Sequence, residues 1–584
     1  MKLSFKQALV IVFLILTPLV LSMLPFTIQS IKSPPDRVFM GLHRWSEDYY
    51  GYLHTINQGL MGHLQNVNKI TLEPHPATFI HSEYAFLGLI GRVFGLNSVM
   101  TYHLSRLVLG AIFLFVAFYF FYFLFAKILN TKYLILNTSL AFFLAFFVGG
   151  FPYLSWWVEL DATRRSTILP HYLMGNILFL SVLILFLSYL RNLSHLGNLK
   201  RLLLLGPFSF LLALIHPVDF LILISTLGLF IFLNLFLSFI IKHSLEIRNL
   251  KLEIYSLLTV IASGIIPILY IRYALTLPFW RFILGHGTTT KYHIPLFDFV
   301  MALGPTFFLA VGGILLLSLR GATFIKLNVA TKQSDIKKEI ASLLSVARND
   351  RLQLPTGPIF LLLSWLLVQA AFFFKLYEVF NFDRLRTMQP PYYIPLAFFA
   401  AIFLLLFFER SEKFLSIKSS HRRLAVRTII LVIFLSLLLS LSLSLKSLKS
   451  QVFEVSDFKY FSSFTYPSQK QYEAWKFLRD HTPENSAITA LYEARFLLPA
   501  VSGNKIAFGA NFDNDPDYGK NLNLIAQIYQ ATLSPQNAYQ FLKDHKISYL
   551  YFGFQEKSLG GDLTKYDFLS KIFDNGEVAI FAVK

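Results

Sequence analysis

The chain alternates long apolar blocks with short polar connections. A helix rises 1.5 Å per residue, so about 20 apolar residues cross the roughly 30 Å hydrocarbon core of a bilayer. On that measure the pattern predicts eleven spans, at approximately 7–28, 103–127, 133–151, 168–190, 202–217, 219–241, 252–275, 298–319, 356–375, 393–408 and 428–446. The fifth is short and ends at His216-Pro217, where proline breaks a helix. The first follows Lys2 and Lys6 like a signal peptide. Its apolar stretch is long and lacks a small-residue cleavage site, so it reads as a retained anchor.

Two segments between or after spans are long. In the first, about 29–102, the apolar spacing of Ser82 to Phe94 suits a helix lying in the membrane interface. The second is the tail from about 450. There Gln469–His481 reads as an amphipathic helix, and Ala487–Leu491, Ile547–Phe552 and Val578–Val583 read as strands. Helical stretches are expected near 517–531, 535–545 and 564–573, so the tail is a small α/β domain. The expected organisation is therefore an α-helical polytopic membrane domain over 1–449 and a soluble α/β domain over 450–584.

Composition agrees: 55% of the 584 residues are hydrophobic and mean hydropathy is +0.56. The net charge of +19 does not point to nucleic acid. Lys and Arg collect in cytoplasmic loops of membrane proteins. With the N-terminus inside, the inner segments hold about 23 of them and the four short outer loops about 6. The tail then lies outside a cell membrane. The chain has no cysteine, which excludes disulfides, thiol catalysis and thiolate zinc sites.

Candidate chemistry gathers in the expected outer segments. The first carries Trp45-Ser46-Glu47-Asp48-Tyr49-Tyr50-Gly51-Tyr52-Leu53. A carboxylate at the membrane surface can take a proton from an acceptor, and Trp45, Tyr49 and Tyr52 can stack on a sugar. The same acids would also suit the start of a helix. His43, His54, His63, His75 and His81 share this segment, but no pair has HExxH spacing. A divalent metal is conceivable and is not required. Basic residues stand where the charge rule disfavours them: Arg164 and Arg165; Arg281, His286 and Lys291; Arg384 and Arg386. Each can hold a lipid phosphate or pair with a nearby acid such as Asp161 or Asp383. His216-Pro217-Val218-Asp219 places two ionisable groups at the edge of hydrocarbon, where they serve a site or satisfy a helix break. No nucleotide-binding or nucleophile-elbow motif has a suitable context.

This layout resembles the GT-C membrane glycosyltransferases, among them the protein O-mannosyltransferases, aminoarabinose transferases and oligosaccharyltransferases. The aminoarabinose-transferase motif reads Asp-Glu-x-x-Tyr. Here Asp48 and Tyr52 match it, Tyr49 replaces the second acid and Glu47 precedes. Leu87-Gly88, Tyr102-His103-Leu104-Ser105-Arg106, His216-Pro217 and Arg384…Ile394-Pro395-Leu396 are similar to bacterial GT-C-like proteins, as is Tyr472–His481 followed by Thr482-Pro483. The resemblance implies an inverting hexosyl- or pentosyltransferase of the cell envelope. It would move sugar from a polyprenyl phosphate or pyrophosphate to a lipid, glycan or protein acceptor at the outer face. It makes Asp48 catalytic with Glu47 beside it. Arg384, Arg386, Arg164, Arg165, Arg281, Lys291, His216 and Tyr52 become the substrate and phosphate contacts. A non-catalytic GT-C-like relative and a flippase of lipid-linked sugars are the alternatives. Absent matching halves and midplane charges weigh against the flippase.

Overall fold

Each of the eleven apolar blocks is helical in the computed structural model. The structure describes residues 4–42, 46–128, 133–150, 160–189, 195–241, 247–285, 294–330, 356–380, 383–415, 420–456, 464–508 and 517–584. Among the described residues, seven helices are long and apolar enough to cross a membrane: Phe5–Ile31, Ser98–Ile128, Pro170–Ser188, Pro217–Phe236, Leu250–Ala274, Gly357–Val379 and Val426–Gln451. The block at 298–319 is a pair, Leu296–Leu303 and Pro305–Ser318, bent by 91°. Gly304 sits at the bend with φ 71°, a left-handed conformation that glycine adopts without a Cβ clash. The blocks at 133–151, 202–217 and 393–408 are the shorter apolar helices Leu134–Phe146, Leu202–Ile215 and Tyr393–Glu409. Pro217 does end one helix, and it also opens the next as its first residue. Its missing N–H costs nothing there.

The chain divides into two compact units. One comprises Met1–Ser22, Val108–Ile268 and Thr290–Lys449. In it the helices Pro305–Ala330 and Tyr393–Leu415 pack along each other, as do Pro170–Tyr189 on His195–Ile215 and Thr356–Ala371 on Pro217–Ile241. Glycine allows the first approach: a Cβ on Gly313 would lie 2.1 Å from the Phe399 carbonyl oxygen. Val108, Ile112, Phe115 and Tyr119 form an exposed apolar stripe at three- and four-residue spacing, as a lipid-facing helix requires.

The other unit comprises Met23–Leu107, Leu269–Thr289 and Ser450–Lys584. Its sheet has the order β2-β1-β3-β5-β4, with β1 (Ala487–Thr489), β2 (Lys505–Ile506), β3 (Ile547–Phe552), β4 (Leu569–Asp574) and β5 (Ala579–Val583). β2, β1 and β3 run parallel, while β5 is antiparallel to both β3 and β4. Helix Gln469–His481 is fixed at its start by a capping box between Ser468 and Gln471. The first long segment joins this unit through backbone bonds. Val38 N–H donates to the Pro467 carbonyl, Met40 N–H to that of Thr465, and Ile506 N–H to that of Lys69.

One expected helix is a strand. Residues 564–573 form a 3-10 turn, Leu563–Lys565, followed by β4. Tyr566, Leu569 and Phe573 have helical spacing, but antiparallel pairing with β5 overrides so short a local signal. The expected interface helix is present as Ser82–Val93. Helix Ser46–Met61 starts where Glu47 and Asp48 suited a helix start, and helix Tyr492–Ser502 adds to what the pattern suggested.

Candidate functional site

Glu47 and Asp48 lie in the first turn of helix Ser46–Met61, where a helix favours negative charge. Both are exposed. The next two residues anchor the turn from inside. Tyr49 and Tyr50 are fully buried. Tyr49 Oη donates to the Met40 carbonyl at 2.7 Å, and Tyr50 Oη to the Phe464 carbonyl. Burial raises both phenols well above their ordinary pKa, so they stay neutral donors. Tyr52, one turn beyond Asp48 on the same face, stacks on Tyr84 with ring centroids 4.3 Å apart. Its ring also meets His81 edge-on at 6.0 Å. His81 has a left-handed backbone, φ 57°, and its Nδ1 lies 3.2 Å from the buried Glu83 carboxylate.

The helix carrying Asp48 crosses Ser82–Val93 at two glycines. A Cβ on Gly59 would sit 2.0 Å from the Ala85 oxygen, and one on Gly88 2.1 Å from the Ile56 oxygen. Only glycine permits this contact.

The other loop histidines are engaged locally. His54 is buried, contacts the Gly51 carbonyl and is pushed down to a pKa of about 4, chiefly by burial. His75 Nε2 accepts from Asn68 N–H, Nδ1–H donates to the Glu73 carbonyl, and the ring stacks on Phe279 at 4.0 Å. His63 lies 3.2 Å from Glu484, which also pairs with the buried ammonium of Lys69 at 3.3 Å. Burial pushes Glu484 up, but Lys69 and His63 more than offset it and leave its pKa below the ordinary value. Among the described residues, no three His, Asp or Glu side chains gather as a metal site.

The expected anion contacts take different positions. Arg281 is exposed in helix Pro278–Gly285 and donates to the Leu275 carbonyl. Arg164 pairs with Asp161 at 3.5 Å. Arg165 is buried, donates to the carbonyls of Ala145 and Val148, and stacks on Tyr393 at 4.4 Å. His216 is buried, faces Gln389 Oε1 at 3.2 Å and lies parallel to His171 at 5.2 Å. Its Nδ1 is 3.7 Å from Asp219, so the His216-Pro217-Val218-Asp219 turn folds back on itself.

Arg384 and Arg386 occupy the 3-10 turn Arg384–Met388, whose start is capped by the Asp383 carboxylate on Leu385 N–H. Arg384 is buried. Its Nε donates to the Phe373 carbonyl at 2.9 Å, and its guanidinium lies 4.3 Å from the Phe373 ring centroid. Arg386 is exposed. Two residues that the sequence did not single out support this turn: Gln369 donates to Thr387 and Pro390, and Trp365 donates to Gln369. Their only signal is an amide and an indole inside an apolar span. His43, Trp45, His286 and Lys291 lie outside the described residues.

No family model matches the chain, and no curated protein sequence does. Solved structures do. The apo oligosaccharyltransferase of Archaeoglobus fulgidus aligns with a TM-score of 0.52 and 14% identity, over 100% of this chain and 75% of that one. The oligosaccharyltransferase AglB of the same organism, in complex with an inhibitory peptide and a dolichol-phosphate, aligns at 0.50 with the same identity and coverage. ArnT from Cupriavidus metallidurans, bound to undecaprenyl phosphate, aligns at 0.45 and 11% identity over 98% of this chain and 97% of that one. The apolar helices, the carboxylate-bearing segment after the first of them and the small C-terminal sheet thus give a multi-pass membrane protein whose fold is similar to that of the archaeal oligosaccharyltransferase.

Proposed function

We propose that this chain is a membrane glycosyltransferase that moves a sugar from a polyprenyl phosphate or pyrophosphate to an acceptor at the outer face of a cell membrane. The observation that carries this reading is Asp48: an exposed carboxylate held in place by buried Tyr49 and Tyr50, with Tyr52 one turn away, on a chain with the GT-C fold. The Lys and Arg asymmetry supports an inside N-terminus, with residues 450–584 as an extracytoplasmic domain.

In the proposed reaction the acceptor hydroxyl or amine gives its proton to Asp48. The freed electron pair attacks the anomeric carbon. The bond from that carbon to the phosphate oxygen breaks, and the carrier leaves as a phosphate anion. A carrier phosphate also calls for a cation, and the arginines of the Arg384–Met388 turn are assigned to that phosphate in this reading. Glu47, adjacent but about 100° around the helix, is the lesser acid. The acceptor is a lipid, glycan or protein. The dolichol-phosphate bound by AglB supports the carrier class.

The test uses purified full-length protein in lipid nanodiscs with a panel of polyprenyl-phosphate sugars. Asp48→Asn keeps the shape and removes the base, and is expected to lower transfer about 10²–10⁴-fold. Glu47→Gln is expected to cost less. Transfer by the wild type that both substitutions leave untouched refutes the assignment. No transfer by the wild type favours the non-catalytic relative.

A further inference from the structure

The two arginines of the Arg384–Met388 turn differ in what surrounds them. Arg384 is committed inward, to the Phe373 carbonyl and ring. Phe373 belongs to a π-helical turn, Phe372–Leu376, an irregularity frequent at functional sites. Arg386 is exposed, and its charge acts on the nearby Asp383 carboxylate. The turn can therefore present one charged group outward, provided that its backbone is held still.

A single buried amide does much of the holding. Gln369 Nε2 donates to the Thr387 carbonyl at 3.0 Å and to the Pro390 carbonyl at 3.1 Å. Its Oε1 accepts from Trp365 Nε1–H, also at 3.0 Å. An indole N–H can only donate, so the amide oxygen must face Trp365. Both amide hydrogens are thereby aimed at the two carbonyls, and the amide cannot flip without losing all three bonds. Trp365 is fully buried and Gln369 is buried beside it. At the far side, Thr387 Oγ1 donates to the Arg384 carbonyl at 2.7 Å, and Gln389 Oε1 faces His216. Arg386 lies between these fixed points.

We propose that Gln369, oriented by Trp365, is a positioning residue. It sets the turn so that Arg386 holds the carrier phosphate, and Arg384 acts as a strut. This rests on the reading above, that the turn binds that phosphate.

The experiment measures binding of two probes, undecaprenyl phosphate and undecaprenol, to the full-length protein in lipid nanodiscs by microscale thermophoresis. The ratio of the two affinities isolates the phosphate. Arg386→Gln is expected to lower that ratio about 10-fold or more. Gln369→Met and Trp365→Phe are expected to lower it about 3–10-fold while leaving undecaprenol affinity unchanged. Trp365→Phe keeps the ring and so carries the test if Gln369→Met does not fold. If Arg386→Gln lowers the ratio and neither support variant does, the positioning role is overturned and the phosphate site stands. If both support variants weaken the two probes equally, their role is general packing and the positioning role again fails. If Arg386→Gln leaves the ratio unchanged, the turn is not the phosphate site, and the inference falls with that reading.

Discussion

His54 makes the helix that carries Asp48 sensitive to acid. Its imidazole is buried, and burial is the main reason its pKa falls from 6.5 to about 4. The Gly51 carbonyl opposes that shift, and the charge of Lys69 adds to it. The folded protein therefore resists taking a proton that the unfolded chain accepts readily. Stability from this residue is present above pH 6.5 and drains away as pH falls toward 4. For one group with these two values, the unfolded state gains about 2 kcal/mol between pH 7 and pH 5. At about 2–4 °C per kcal/mol, that is a loss of about 4–8 °C in unfolding midpoint. His54→Asn keeps a donor for the Gly51 carbonyl and removes the titration. Thermal unfolding of both proteins in nanodiscs at pH 7 and pH 5 gives the test. The wild type should lose more than the variant by that amount, whatever other groups contribute to both. Equal losses would mean that His54 is solvated in the folded state, and the argument from burial would fail.

Three further outcomes follow from the geometry. Gly88→Ala would place a methyl 2.1 Å from the Ile56 carbonyl oxygen. It should destabilise by about 1–3 kcal/mol in a thermal melt. Gly51→Ala on the facing helix Ser46–Met61 meets nothing within 4 Å and serves as the control. Glu484→Gln should destabilise more than Lys69→Met, because the first leaves the buried Lys69 ammonium without its carboxylate; the reverse order of melting temperatures would contradict this. A periplasm-dependent reporter fused after Lys584 should be active, and activity of a cytoplasm-dependent one instead would reverse the orientation and remove the outer-face chemistry.

The membrane helices were legible because a run of about 20 apolar residues is a signal that no tertiary contact cancels. The apolar block around Gly304 was legible for the same reason, whereas its 91° bend was not. Glu47 and Asp48 stand in the first turn of a helix, as their helix-start reading expected, and are exposed. The basic residues were a different matter. Arg165 and Arg386 look alike in sequence, both cations beside spans. Only the fold turns one onto the Ala145 and Val148 carbonyls and leaves the other exposed. Gln369 was invisible because a lone amide in an apolar block has no pattern. β4 was misread because six residues carry too little period to outweigh a partner strand.

The backbone bonds between the first long segment and the C-terminal unit bear on timing. Lys69 gives its ammonium to the Gly503 carbonyl, 434 residues further along the chain, and its own carbonyl accepts from Ile506. At about 5–20 residues per second, a ribosome needs roughly 20–90 s to make that stretch. For all of that time the segment holding Asp48 has its anchoring helices without the partners that complete it. A chain that stops early inserts most of its membrane helices yet leaves this segment unfinished. The carboxylate-bearing turn is thus assembled only on molecules whose synthesis has run past Ile506.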